Sequence, residues 1–283
     1  MRKDFPHIGY APSILRGFPC LRIGDELIAP IPDLLFNRFT EQLFYDFAGD
    51  DKLKNEFSKN FETYLHTILR DHANEFQICG EENYNNGQSK TPDAFAIKNQ
   101  TVSIAFEAKS RKMSALAKFG ENPLVEAESA FSEIAKGICQ LWRYVVDSGR
   151  GLVPDSVRCG NSTHLLLVTL DDWLGGLSVE IRKKLFSKAH QLADGKSIPK
   201  SAEIRRPVLI CAISDIEFKL TRGQMDGLEK ILNTAKEEKY RDWMLQLIWN
   251  DVFPDSVEGT FVSMDRLETV WPWWGELKKK NRP

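Results

Sequence analysis

The feature of this sequence that most constrains its fold is the alternation of apolar and other residues between positions 101 and 109. Successive side chains of a strand point to opposite faces, and the residues of one parity here are the apolar Val102, Ile104 and Phe106. The other parity ends in Glu107 and Lys109, which therefore project together. The chain must accordingly build a sheet with a buried face, and it places an acid and an ammonium side by side near the end of one strand.

The segments around this strand favour an alternation of helices and strands. Apolar residues at helical spacing, among them Phe57 and Phe61, predict a helix over residues 52–70. Apolar runs bounded by turn residues predict further strands at residues 75–79, 91–97, 163–170 and 207–213, with a polar loop at residues 80–90 between the first two. Two more helices are predicted at residues 125–146 and 179–192. The order of helix, three strands, helix and strand is typical of an α/β fold.

The length of the chain suits one large domain with additions at both ends. We expect residues 1–50 to form an N-terminal appendage, in which two short strands surround Gly24 and Asp25. Residues 51–220 are expected to form the core. Residues 221–283 would then be a C-terminal extension, helical in its first half and aromatic towards its end.

The aromatic tail combines tryptophans with lysines. Exposed tryptophans can stack on bases and tail lysines can bind phosphates, and the residues concerned are Trp271, Trp273, Trp274, Lys278, Lys279 and Lys280. Tryptophan side chains are usually buried in folded proteins and lysine side chains are usually exposed. This favours the plainer interpretation, in which the tryptophans pack the tail onto the body and the lysines are solvated.

Composition limits the classes of partner. A formal net charge of -2 at pH 7 excludes binding of nucleic acid by bulk charge, so any polyanion site has to be a local patch. Apolar runs fall short of the roughly 18 to 20 residues that a bilayer span needs, and the first residues lead into no apolar signal core. Five cysteines without a Cys-x-x-Cys pair indicate buried thiols in a reducing compartment. We therefore expect a cytoplasmic protein that does not enter membranes.

Asp93 and Glu107 are brought together by the hairpin that the strands predict. With a three-residue loop at residues 99–101, Asp93 lies opposite Glu107 on the same face, and their side chains are about 5 Å apart. Two carboxylates so placed repel each other unless a cation lies between them. Hard oxygen ligands suit Mg²⁺ or Mn²⁺. Lys109 would lie beside such an ion, where an ammonium favours ionisation of a water that attacks a phosphate.

The combination of Pro92-Asp93 with Glu107-Ala108-Lys109 resembles the bipartite signature of the PD-(D/E)XK nuclease superfamily. The order of helices and strands around it is also similar. The resemblance implies a restriction-endonuclease-like core, with a mixed central sheet flanked by helices. It covers about residues 52–170.

The same resemblance implies roles for further residues. The first helix of the family usually brings another acid to the metal, and Glu62 matches that position. In a branch similar to the RecB-like nucleases, the helix after the signature carries Gln-x-x-x-Tyr, which Gln140 and Tyr144 match. These two would position the phosphate or neighbours of the metal site, and Lys109 would orient the attacking water. The implied metal ligands are Glu62, Asp93, Glu107 and the backbone carbonyl of Ala108.

The function that the resemblance implies is hydrolysis of phosphodiester bonds by a nuclease that depends on Mg²⁺ or Mn²⁺. We expect an endonuclease, which cuts inside a strand rather than at its end. DNA is the expected substrate, because most of the resembling families cut DNA, and RNA is the alternative. Such enzymes in bacteria often act in restriction or anti-phage defence, and a homodimer or a partner subunit fits that role. Two alternatives stay open: a nucleic-acid-binding scaffold subunit without turnover, and an RNA-cleaving effector or toxin that a partner holds inactive.

Basic residues outside the signature would neutralise phosphates if they surround the Asp93 site. The residues proposed for nucleic-acid binding are Arg111, Lys112, Lys183, Lys184, Arg205 and Arg206. Folded away from that site, they would only be solubilising charge.

Each motif taken alone also suits an ordinary structural role. Glu107 and Lys109 fit a solvated strand face, Asp93 fits a turn, and Glu62 fits a helix surface where it contacts His66 at i+4. Pro-Asp pairs recur at Asp33, Asp155 and Asp255, but in helical or tail contexts without a partner strand. The specific signal is therefore the joint placement of the acids and the lysine in the right order on the right elements.

Overall fold

A computed structural model of the protein describes residues 15, 18–39, 44–45, 50–112, 125, 127–170, 179–240, 243 and 245–254. The chain divides into two compact units. The first comprises Met1–Asn60 with Met113–Ala130, and the second comprises Phe61–Lys112 with Phe131–Pro283. None of the helices in the described ranges has the length and apolar character needed to cross a lipid bilayer.

The first unit contains the hairpin predicted near the N-terminus. Strands β1 (Leu21–Ile23) and β2 (Glu26–Ile28) pair antiparallel. Gly24 between them has a φ of +62°, a left-handed conformation that glycine adopts without a steric cost. A short helix, α1, follows at Pro32–Phe39. The prediction of two short strands around Gly24 is therefore confirmed.

The remaining elements alternate between helices and strands. A long helix and five strands come first: α2 (Asp51–Asp71), β3 (Gln77–Gly80), β4 (Asn83–Tyr84), β5 (Ser89–Lys90), β6 (Ala94–Lys98) and β7 (Thr101–Lys109). The later elements are α3 (Glu128–Gly149), β8 (Cys159–Thr169), α4 (Val179–Gly195), β9 (Val208–Ala212), α5 (Ile213–Thr234) and α6 (Leu245–Val252). The predicted helices and strands are all present, with ends that differ by a few residues.

A mixed sheet of five strands, in the order β3-β6-β7-β8-β9, forms the centre of the second unit. Strands β3, β6 and β7 pair antiparallel with one another, whereas β8 runs parallel to β7 and β9 runs parallel to β8. Parallel neighbours need crossover connections, and these contain α3 and α4. The protein is thus α/β with a mixed central sheet flanked by helices, as the sequence predicts.

Helices cover both faces of this sheet. On one face Phe106 of β7 belongs to a buried cluster with Leu65 of α2 and Leu228 of α5. On the other face the ring of Tyr144 in α3 lies 5.5 Å from the ring of Phe95 in β6. Each fully buried side chain of this size contributes about 1.5 to 3 kcal/mol. Because both faces are covered, polar residues of the central strands are also removed from water.

The hairpin between β6 and β7 turns more tightly than the sequence predicts. Its loop consists of Asn99 and Gln100, with Lys98 paired to Thr101. Both loop residues have positive φ, 51° and 59°, which is the conformation of a type I′ turn. The predicted three-residue loop at 99–101 is therefore wrong, because the twist of paired strands favours this two-residue turn.

A bulge in β7 nevertheless keeps the predicted register at the far end of the hairpin. Ile97 pairs with Val102, but the preceding residue of β6, Ala96, pairs with Ile104, so one residue of β7 has no partner. This additional residue compensates for the shorter turn. The pairing of Ala94 with Phe106 places Asp93, one residue before β6, opposite Glu107.

Residues 80–90 are not the open polar loop that the sequence predicts. They contain a second small hairpin, in which Tyr84 of β4 pairs with Ser89 of β5. The Tyr84 hydroxyl donates a hydrogen bond of 2.8 Å to the Asp147 carboxylate, and this buried contact ties the hairpin to α3. Two-residue strands of polar composition have no periodicity that sequence analysis could detect.

The C-terminal part continues the core further than expected. The predicted boundary at residue 220 falls inside α5, and Leu220, Leu228 and Trp249 belong to the same buried cluster as the sheet. The helical pattern predicted for residues 225–251 is divided between α5 and α6 by a short 3₁₀ helix, Glu238–Tyr240. The tryptophans and lysines of the tail, residues 271–280, lie outside the described residues.

Candidate functional site

Glu107 and Lys109 lie together on the face of β7 that α3 covers. The Lys109 ammonium donates a hydrogen bond of 2.6 Å from Nζ to Glu107 Oε1. The Glu107 side chain is 2% exposed and that of Lys109 is 20% exposed. Helix α3 comes so close that a methyl group at Gly137 would lie 2.9 Å from Lys109 Cε. The interpretation of these two residues as a solvated strand face is therefore wrong.

Asp93 turns its carboxylate from the start of β6 towards β7. Its Oδ2 accepts a hydrogen bond of 2.7 Å from the backbone N–H of Ala108. Because Ala108 lies between Glu107 and Lys109 in the chain, this bond fixes the Asp93 carboxylate beside both. The two halves of the predicted signature thus meet in one cluster.

Helix α2 contributes Glu62 to the same cluster. Glu62 is partly buried at the margin of the apolar stripe, as the spacing of the helix predicts. Burial and then the charge of Asp93 raise the pKa of Glu62, and the charge of Lys109 opposes them, so its carboxylate lies within electrostatic range of both. The residues that the structure brings together are therefore Glu62, Asp93, Glu107 and Lys109.

His66 is a residue of this cluster to which sequence analysis gave no role in the site. Its Nε2–H donates a hydrogen bond of 2.8 Å to the backbone carbonyl of Asp93, while its buried Nδ1 has no partner among the described residues. Gly80 leaves room for the ring, because a methyl group there would lie 3.2 Å from His66 Cε1. The spacing of four residues from Glu62 is the signal that could have identified it.

The pKa values of all three carboxyl groups are raised. Burial is the main cause at each, and at Glu107 burial and the charge of Asp93 raise the pKa to about 8 against the opposing charge of Lys109. At Asp93 burial outweighs the hydrogen bond from Ala108, which lowers the pKa. Buried acids that repel one another retain their charge only when a cation compensates them.

The chemistry of this donor set fits a hard divalent cation. Carboxylate and carbonyl oxygens are the ligands that Mg²⁺ and Mn²⁺ prefer, and Glu62, Asp93, Glu107 and the Ala108 carbonyl offer them. The side chains do not adopt a ligating arrangement: no group of three His, Cys, Asp or Glu residues in the described ranges stands ready to hold a metal. Glu107 instead contacts Lys109, and Asp93 contacts the Ala108 N–H.

Comparison with known proteins provides no family assignment. No family model, no curated protein and no solved structure matches this chain. A function for the site is therefore inferred from its own geometry and chemistry.

An ion pair from the small hairpin borders the acidic cluster. Lys90 of β5 contacts Glu81, with 2.6 Å between Nζ and Oε1. Both charges act on the pKa of Glu62, in opposite directions. These two residues belong to the segment that the sequence presents as a featureless polar loop, so no pattern identified them.

Of the basic residues predicted to bind phosphate, Arg111 and Lys112 follow β7 directly. Both are partly buried. Burial raises the pKa of Glu133 in α3, but the ion pair with Lys136 and the charges of Arg111 and Lys109 outweigh it and lower the pKa. The Arg111 guanidinium therefore lies near the end of β7 where Lys109 lies.

The other predicted basic residues lie towards the opposite end of the sheet. Arg206 donates hydrogen bonds to carbonyls at the start of β8, and the Arg205 guanidinium pairs with Asp194. Lys183 and Lys184 are exposed on α4. The structure does not bring these four residues to the Asp93 cluster.

Gln140 and Tyr144 lie in different environments although they are one helical turn apart. Gln140 is exposed, whereas Tyr144 is 1% exposed and its hydroxyl donates a hydrogen bond of 2.6 Å to the Val157 carbonyl. Gly137 marks where α3 crosses Lys109, and Tyr144 is about 10 Å of helix rise further along. The contacts of Tyr144 are those of a core residue.

Proposed function

We propose that this protein is a Mg²⁺- or Mn²⁺-dependent nuclease that hydrolyses phosphodiester bonds in DNA. The observation that carries the proposal is the meeting of Asp93, Glu107 and Lys109, which are distant in the chain, in one buried cluster with 2.6 Å between Lys109 Nζ and Glu107 Oε1. A buried ammonium beside several acids is an arrangement that a structural role does not require.

The architecture around the cluster supports a restriction-endonuclease-like core for the same protein. An acid from α2, an acid before β6 and an acid and a lysine at the end of β7 meet at one end of a mixed sheet. This arrangement is similar to that of the PD-(D/E)XK nucleases, to which the motif Glu107-Ala108-Lys109 already pointed.

The residues of the cluster would have two separate roles, metal binding and orientation of the attacking water. The carboxylates of Glu62, Asp93 and Glu107 and the carbonyl of Ala108 would hold a divalent cation. When bound, the cation would supply positive charge that stabilises charge developing on the phosphate. Lys109 would orient the attacking water through its ammonium and favour loss of the water's proton. Helix α3, which packs against the Lys109 side chain at Gly137, would limit the access of other water from that side.

Cleavage assays test this proposal. The full-length protein is incubated with single-stranded DNA, duplex DNA and RNA in the presence of MgCl₂, MnCl₂ or EDTA. We expect metal-dependent cleavage of DNA, and we expect Asp93→Asn and Glu107→Gln to lower it at least 100-fold, a loss of the order seen when a group acting on transition-state charge is removed.

Asp155 offers a matched control because it also follows a proline but is exposed, and among the described residues its carboxylate pairs with Arg158. Asp155→Asn should leave cleavage unchanged. Absence of cleavage by the unmodified protein with all substrates and both metals would instead favour a nucleic-acid-binding scaffold. Cleavage that appears only with a partner, and only of RNA, would favour an effector held inactive.

A further inference from the structure

A wide cleft lies at the end of the sheet where β8 and β9 begin. It has a volume of about 1190 Å³ and is lined by residues of α3, α4, β8, β9 and α5 together with the segment before β9. His164 of β8 is among its lining residues and pairs with Ile104 of β7. Lys109 pairs with Thr169, five residues and roughly 16 Å further along the strands. The cleft is therefore separate from the carboxylate cluster.

The described lining of the cleft is strongly cationic. Its charged residues are one acid, Glu203, and five cations: Arg182, Lys183, Arg205, Arg206 and Lys236. The whole chain has a formal net charge of -2, so this concentration of positive charge is local. A concave surface of one sign focuses the electric field and attracts ions of the opposite sign.

Backbone carbonyls hold Arg206 in the wall of this cleft. Its Nη1 donates to the carbonyls of Gly160, Asn161 and Thr163, and its Nε donates to that of Glu203. All four partners are uncharged backbone carbonyls, so they do not neutralise the guanidinium. The Arg206 Nη2 donates no hydrogen bond to a described residue. An arginine fixed in this way keeps its full charge and part of its donor capacity for a ligand.

Lys236, which lies near Arg206, also has no carboxylate partner in the part of the chain that the structure describes. Burial and then the charge of Arg206 lower the pKa of Lys236. Burial and the charge of Lys236 lower the pKa of His164 to about 4, although its hydrogen bond with Asn233 opposes this. The positive charges of Arg206 and Lys236 therefore act on neighbouring groups in the wall of the cleft. Arg205 differs, because Asp194 neutralises it.

We propose that this cleft binds a small organic phosphate of nucleotide size. Arg206, Lys236 and Lys183 would contact the phosphate groups, because no described carboxylate forms an ion pair with any of these three lining cations. Phe186 and His190, which also line the cleft, offer ring surfaces to an aromatic or apolar portion of the ligand. The concavity and the mixture of rings and cations suit a small ligand, which a pocket can enclose, better than a duplex, whose phosphates lie on the outside of a long cylinder.

This proposal does not depend on the nuclease activity, and its test contains no divalent metal. Binding of ATP and of inorganic pyrophosphate to the full-length protein is measured by isothermal titration calorimetry in EDTA. We expect both to bind, and we expect Lys236→Gln and Lys183→Gln each to weaken binding roughly threefold to tenfold by removal of one phosphate contact.

Lys184 is the matched control for Lys183, because it is the next residue of α4 and equally exposed but does not line the cleft. Lys184→Gln should bind both probes as the unmodified protein does. Absence of binding at millimolar concentrations, or an equal loss in Lys184→Gln, would overturn the proposal. Duplex DNA titrated by fluorescence anisotropy forms a third arm: if the Lys236 and Lys183 variants weaken DNA binding while ATP does not bind, the cleft is part of a nucleic-acid surface instead.

Discussion

At the scale of single residues, a substitution at Tyr144 distinguishes a structural role of this side chain from a catalytic one. Its buried hydroxyl donates to the Val157 carbonyl at 2.6 Å, and Tyr144→Phe leaves that carbonyl without this donor. We expect the variant to lose about 1 to 2 kcal/mol of unfolding free energy, measured by urea denaturation. Metal-dependent cleavage by the folded variant should stay within about twofold of the unmodified rate. A large loss of cleavage at unchanged stability would restore the role that the Gln-x-x-x-Tyr motif implies.

His164 makes the stability of the protein depend on pH. Burial and the charge of Lys236 lower its pKa from 6.5 to about 4, so the folded protein keeps the imidazole neutral. Between these two values the unfolded chain binds more protons than the folded one, and stability falls as the pH falls. From pH 7 to pH 4.5 this residue should cost about 2 kcal/mol.

Urea denaturation at both pH values measures this loss. Other groups also titrate in the interval, so the comparison is with His164→Gln, which keeps a hydrogen-bonding side chain but has no proton to bind. The variant should lose about 2 kcal/mol less than the unmodified protein on acidification. An equal loss in both proteins would contradict the buried neutral state of His164.

At the scale of elements, the contact between α3 and β7 is the closest one in the site. A methyl group at Gly137 would lie 2.7 Å from Leu167 Cδ1 and 2.9 Å from Lys109 Cε. Gly137→Ala should therefore force the helix away from the strand, destabilise the protein by about 1 to 3 kcal/mol and displace Lys109. Urea denaturation and the cleavage rate, measured together, should both decrease.

Gly149, the last residue of the same helix, is the control for that substitution. An added methyl group there meets no atom within 4 Å. Gly149→Ala should be neutral or slightly stabilising, because alanine is favoured over glycine in a helix by about 1 kcal/mol. If both variants behave alike, helix propensity rather than the close approach to Lys109 governs these positions.

The elements also show what the sequence could predict and what it could not. The alternation of β7 and the apolar stripe of α2 each repeat over enough residues to define a period, and both were located within two residues. The hairpin of β4 and β5 has two residues a side and no period. The tight turn at Asn99 shifts the strand register by one residue, and the bulge after Val102 shifts it back. Asp93 therefore remains opposite Glu107 only because the two shifts cancel.

At the scale of the whole molecule, the predicted site depends on contacts between distant segments. Glu62 and Asp93 were predicted from motif and helix geometry, and the structure brings both to Glu107. The cationic cleft was not predicted, because Lys183 lies on α4, Arg206 before β9 and Lys236 after α5, and the three form no motif in the sequence. Patterns within one element are visible in a sequence, whereas surfaces assembled from several elements are not.

The raised pKa values of Glu62, Asp93 and Glu107 indicate that the folded protein is stabilised when a cation joins them. A ligand that binds only the folded state stabilises it by about 2.7 kcal/mol at 100 times its Kd. We therefore expect saturating MnCl₂ to raise the melting temperature in EDTA-treated protein by roughly 5 °C. Glu107→Gln should abolish this shift and Asp155→Asn should keep it, whereas an equal shift in all three proteins would place the metal elsewhere.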